Sequence, residues 1–124
     1  MDPLQISPAP DTTPAVQLDA SSGIFEISGW SLPEDSTKFY TPVLSWLTRY
    51  AEQPNPNTVF HFKYQYFNTA SAKQILKIIS VLETVAHKSN TTVHWHGDKE
   101  DEDMLTSGKR FSKLTTVPFE FVSS

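Results

Sequence analysis

Cysteine is absent from the 124 residues, so disulfides, thiolate nucleophiles and cysteine-ligated metal centres are excluded at the outset. No block of lysine and arginine occurs, and the formal net charge is −4. Nucleic acid and anionic membranes are found through clustered positive charge, so neither is an expected partner. No apolar run is long enough to span a bilayer, and the N-terminus lacks a basic region followed by an apolar core. The chain is therefore expected to work in the cytoplasm, and Asn90-Thr91-Thr92 is an empty match to the N-glycosylation pattern. Glycine-rich phosphate loops, Gly-x-Ser-x-Gly elbows and His-Glu-x-x-His helices are missing too. The expectation is a protein without an enzymatic reaction or a cofactor.

What is present suits one compact domain that closes its core without a metal or disulfide staple. Residues 1–13 read as a flexible tail, because prolines, serine and aspartate leave little apolar surface to offset ordering entropy. Residues 14–124 read as the folded domain. Val16 and Leu18, then Phe25 and Ile27, alternate about Ser21-Ser22-Gly23 as a β-hairpin. Ser31-Leu32-Pro33-Glu34 fits a capping box for a helix carrying Phe39, Val43, Leu47 and Tyr50. Pro42 is expected to kink that helix or to start a fresh one at Thr41.

Val59 to Phe67 predicts a strand with Phe60, Phe62, Tyr64 and Tyr66 on one face and His61, Lys63 and Gln65 on the other. Ile75, Ile78, Ile79, Leu82 and Val85 mark a second helix. Thr92 to His96 returns to strand, Asp101 to Asp103 opens a third helix, and Val117, Phe119 and Phe121 alternate in a closing strand. The order ββαβαβαβ predicts a two-layer α/β sandwich: a mixed sheet of about five strands with helices on one face. Trp30, Trp46 and Trp95 read as core or interface aromatics, with core the default.

The chemically informative stretch is Tyr66-Phe67-Asn68-Thr69-Ala70-Ser71-Ala72-Lys73-Gln74, where a strand meets a helix. Ser71 and Gln74 fit a second capping box, which leaves the Thr69 hydroxyl just outside the first turn. A helix N-terminus favours a phosphate there, although from local sequence alone Asn68, Thr69 and Ser71 are more simply read as ordinary cap residues. His61, His94 and His96 share the polar sheet face and suggest a zinc enzyme as one alternative. Alternating histidines on a solvated face are the simpler reading, and no metal site is expected. Asp98 to Asp103 lacks the spacing of a calcium loop and is explained by the helix dipole.

Several motifs resemble those of the SiaC family of bacterial regulatory phosphoproteins. They are Gly29-Trp30-Ser31-Leu32-Pro33-Glu34, Phe39 to Leu47, Tyr66 to Lys73, Asp101-Glu102-Asp103-Met104, Gly108, Phe111-Ser112 and Pro118-Phe119. The resemblance implies a STAS-like fold and a partner-switching module. It implies that Thr69 is phosphorylated by a dedicated kinase and dephosphorylated by a metal-dependent phosphatase. The unphosphorylated form would bind and activate a diguanylate cyclase, in cyclic-di-GMP signalling and biofilm formation. Thr69 is preferred to Ser71 as acceptor because Ser71 is placed to serve as the cap, and Asn68, Ser71 and Lys73 are expected to shape partner binding. The chain departs from the family pattern at Ala70, where serine is common, and at Lys109-Arg110, where acidic residues are common. An anti-anti-sigma-like protein, with an anti-sigma kinase as partner, is the other alternative.

Overall fold

Apolar alternation at the N-terminal end builds an antiparallel meander of β1 (Leu4–Ile6), β2 (Ala15–Asp19) and β3 (Ile24–Ser31) in the computed structural model, which describes residues 1–123. Helix α1 (Ser36–Tyr50) then leads to β4 (Asn57–Phe67), α2 (Thr69–Val85) to β5 (Asn90–Gly97), and α3 (Glu102–Ser112) to β6 (Phe119–Ser123). Strands β3 to β6 run parallel, and the order across the sheet is the order in the chain. Crossovers that advance steadily in one direction carry their helices to the same face. The core follows from this. Phe25, Ile27, Phe60, Phe62, Val93 and Trp95 are buried against Tyr40, Val43, Leu47, Ile75, Ile78 and Leu82.

The α/β sandwich and its mixed sheet match the expectation, with six strands in place of five. The extra strand lies in the stretch read as a tail. Leu4 and Ile6 stand opposite Leu18 and Val16 and pack against the core, and the Trp46 indole N–H donates to the Asp2 carbonyl at 2.8 Å. Three apolar-alternating residues are enough to extend an existing edge, although the surrounding prolines mask them.

Three local expectations are corrected. Ser31 does not cap α1; it ends β3, and Asp35 accepts from the Lys38 N–H instead. Pro42 does not start a fresh helix at Thr41, since α1 runs unbroken through it. Tyr66 does not share the face of Phe60, Phe62 and Tyr64. Gly29 stands opposite Tyr64 but Trp30 stands opposite Tyr66, so β4 carries an extra residue in a bulge. The bulge exchanges the two faces. Beyond it, Ser31 and Phe67 turn toward the helices, and the rings of Trp30 and Tyr66 meet at 5.8 Å on the outside. Gly29, at φ +105°, supplies the backbone geometry that this shift requires. Trp46 and Trp95 are core residues, whereas Trp30 is 40% exposed.

Candidate functional site

The strand-to-helix junction after β4 is fixed from both sides. The Asn68 N–H donates to the Ser31 carbonyl at 3.1 Å, and its side chain accepts from the Ser71 N–H at 2.9 Å. Asn68 is therefore the N-cap of α2, the place the sequence reading gave to Ser71. Thr69 becomes the first helical residue, and it is exposed. Lys73 is exposed one turn farther along.

Ser71 points inward and is fully buried. Its hydroxyl donates to the Ser31 carbonyl at 3.1 Å and lies 2.8 Å from the Ser31 hydroxyl. Ser31 in turn meets Tyr40 Oη at 2.6 Å, and Tyr40 meets Tyr64 Oη at 3.0 Å. One proton assignment satisfies all four groups. Ser71 spends its proton on the carbonyl, so Ser31 donates to Ser71, Tyr40 to Ser31 and Tyr64 to Tyr40. Burial raises the Tyr40 phenol and holds that of Tyr64 well above its ordinary value, so both remain protonated. This relay ties β3, α1, β4 and α2 together directly beneath Thr69. Sequence reading missed it because its members lie up to 40 residues apart.

Outside the junction, Phe67, Asn68, Thr69, Ala72, Ser107 and Arg110 line an open cleft of about 270 Å³. Arg110 is exposed on α3, so the fold brings a guanidinium to the cleft that carries the Thr69 hydroxyl. Nothing in the local sequence around residue 69 reveals that neighbour.

The opposite sheet face is polar. Lys63 pairs with Glu26 at 3.0 Å, and His94 Nε2 lies 2.9 Å from Glu120. His61 Nδ1 approaches His96 Nε2 to 2.9 Å. Partial burial, followed by repulsion from neighbouring imidazole and Lys63, lowers the pKa of both His61 and His96. Both therefore favour the neutral form. His96 also lines a groove of about 490 Å³ with Trp30, Lys63, Gln65, Asp98 and Asp101. The acidic start of α3 acts as expected: Asp101 accepts from the Met104 N–H at 3.0 Å.

Among the described residues, no helix is long and apolar enough to cross a membrane. Comparison with known proteins places the whole chain. An uncharacterized protein of Pseudomonas aeruginosa (strain UCBPP-PA14) is 29% identical over 114 residues, 90% of each chain. The crystal structure of apo-SiaC from Pseudomonas aeruginosa is similar with a TM-score of 0.87 at 26% identity, covering 99% of this chain and 100% of that one. A chain in the crystal structure of the diguanylate cyclase SiaD in complex with its activator SiaC, from the same organism, gives 0.88 at 26% identity, covering 98% and 99%. Residues 7–124 match the SiaC family of regulatory phosphoproteins, nearly the whole of the sheet, its three helices and the Thr69 junction. The chain belongs to that family.

Proposed function

We propose that this protein is a non-enzymatic phospho-switch whose unmodified form binds and activates a diguanylate cyclase. On this reading a cognate kinase phosphorylates Thr69, a metal-dependent phosphatase removes the phosphate, and the cycle sets cyclic-di-GMP output and biofilm formation in the cytoplasm. The observation that carries it is the contrast between two hydroxyls two residues apart. Thr69 is exposed at the first position of α2, whereas Ser71 is buried with its proton already committed. A kinase reaches the first without unfolding anything and cannot reach the second.

The physics of the site supports a switch. Phosphate adds roughly −1.5 to −2 charges and three acceptor oxygens. At the N-terminus of α2 these meet the positive end of the helix dipole, and Arg110 and Lys73 stand close in the fold or one turn away. The modified side chain is thereby stable where it stands, yet it places a dianion on a surface otherwise suited to a partner. Burying that dianion in an interface costs far more than burying a threonine. The SiaD–SiaC complex of the structural relative favours a cyclase as that partner over an anti-sigma kinase.

The test is a pull-down from the native host with wild-type protein, Thr69→Ala and Thr69→Glu, followed by cyclase assay with the recovered partner. Wild type and Thr69→Ala should recover and activate a diguanylate cyclase, and Thr69→Glu should lose most of that binding. Phosphopeptide mass spectrometry should find phosphate on Thr69 and none on Ser71. Equal binding by all three proteins would sink the switch.

A further inference from the structure

We propose that His61, His94 and His96 form a binding site for a divalent transition-metal ion of the zinc type on the open face of the sheet. Register brings them together. His61 stands directly opposite His94 on the neighbouring strand, and His96 follows two residues later on the same face. One ring nitrogen from each of the three lies within 4.8 Å of the others. The ring centroids of His61 are 5.0 Å from His94 and 5.1 Å from His96.

The spacing of the closest pair suits the ion, and the remaining separations, within 4.8 Å, have to close by no more than about 1.5 Å. Zinc–nitrogen bonds of about 2.0–2.1 Å in tetrahedral geometry put the ligand nitrogens about 3.3 Å apart. The His61 Nδ1 to His96 Nε2 separation of 2.9 Å needs to open by less than half an ångström to reach that value. At present this pair shares one proton in a hydrogen bond. Metal binding requires each imidazole to carry its proton on the other ring nitrogen, a tautomer change that leaves both neutral.

The surroundings complete the case. All three rings are half-buried, which shields an ion partly from water. Glu120, 2.9 Å from His94 Nε2, is placed either as a fourth ligand or as the carboxylate that orients the ring. Lys63 is paired with Glu26, which offsets its repulsion of an incoming cation. Because the ligands come from β4 and β5, the ion would staple two parallel strands beside the groove lined by Trp30 and His96. This inference does not rest on Thr69 carrying phosphate.

The experiment titrates zinc chloride into the full chain, cleared of metal by a chelator, and follows heat and thermal unfolding. One ion per chain should bind with a dissociation constant below about 10 µM, and saturation should raise Tm by several degrees. His61→Gln and His96→Gln should each weaken binding at least tenfold, and Glu120→Gln by about tenfold. His87→Gln, which alters the remaining histidine in the exposed turn after α2, should change nothing. Circular dichroism verifies that each variant is folded. If His61→Gln fails to fold, His96→Gln carries the comparison. Absence of saturable zinc binding by the wild type would overturn the proposal. So would binding that survives the His61→Gln/His96→Gln double change, or that is lost equally on His87→Gln.

Discussion

At the scale of single residues, the hydroxyl relay beneath Thr69 has a direction, and that direction makes its two ends unequal. Ser71 is the acceptor end: replaced by alanine, it strands the Ser31 proton in a dry site. Leaving a buried donor unpaired costs about 1–3 kcal/mol. Tyr64 is the donor end. Tyr64→Phe removes only the bond donated to the Tyr40 oxygen and leaves no buried donor unpaired, so its cost should be under about 1 kcal/mol. Urea unfolding of the two variants tests the assignment, and a larger loss for Tyr64→Phe would reverse it. Asn68 acts at the same scale through a partly buried bond to the Ser71 N–H, and Asn68→Ala should cost about 1 kcal/mol as a lost helix cap. The relay ties the first turn of α2, beside Thr69, to β3 and α1.

At the scale of elements, α3 packs closely on the sheet where Gly108 meets Trp95. A Cβ on Gly108 would lie 2.4 Å from Trp95 Cδ1 and 2.6 Å from Nε1, and Trp95 is held by its bond to the Met104 carbonyl. Overpacking of this kind costs about 1–3 kcal/mol, against a gain of up to about 1 kcal/mol in helix propensity. Gly108→Ala should therefore lower the urea midpoint and loosen α3, moving Arg110 away from the Thr69 cleft. The β4–β5 face gives a second test. In metal-free protein the fold lowers the pKa of His61 and His96, so it prefers them neutral. The unfolded chain takes up their protons near the ordinary pKa of about 6.5 and the folded chain does so only at lower pH. Their contribution is complete above that value and is lost as pH falls through the lowered native pKa values. Urea midpoints should fall between pH 7.5 and pH 5 by less in the His61→Gln/His96→Gln variant than in wild type. Hydrophobic periodicity made most of these elements legible beforehand, because strands and helices here each bury one clean face. The cap of α2 was misplaced by three residues since Asn68 and Ser71 both suit the role, and only packing chooses between them. The bulge opposite Gly29 was illegible, for the alternation of Tyr64 and Tyr66 continues through it in sequence while the faces exchange in space. The convergence of three imidazoles depended on the register between β4 and β5, which residue types alone do not specify.

At the scale of the whole molecule, the sheet advances strand by strand in one direction, so it has two edges and the chain must protect both. The β6 edge carries Glu120 and lies at the C-terminal end of the described residues. The other edge is closed by β1, the three residues hidden in the proline-rich N-terminus. Removing residues 1–7 would strip that strand, uncover Val16 and Leu18 on the core side, and take away the carbonyl that Trp46 uses. It would also present the free backbone of β2, a template for pairing with another chain. Loss of two half-buried apolar side chains and one indole hydrogen bond should together cost about 2–4 kcal/mol. The truncated protein is expected to unfold at a lower urea concentration and to form dimers or larger species in light scattering as its concentration rises. A truncated chain that stayed monomeric with an unchanged midpoint would mean that β1 adds nothing, and that the meander ends at β2. Thr69 begins α2, which follows β4 on the parallel half of the sheet, so the truncation should leave the phosphorylation proposed for it intact wherever the protein remains folded. That separation distinguishes a device for keeping the sheet solitary from the junction proposed to meet a partner.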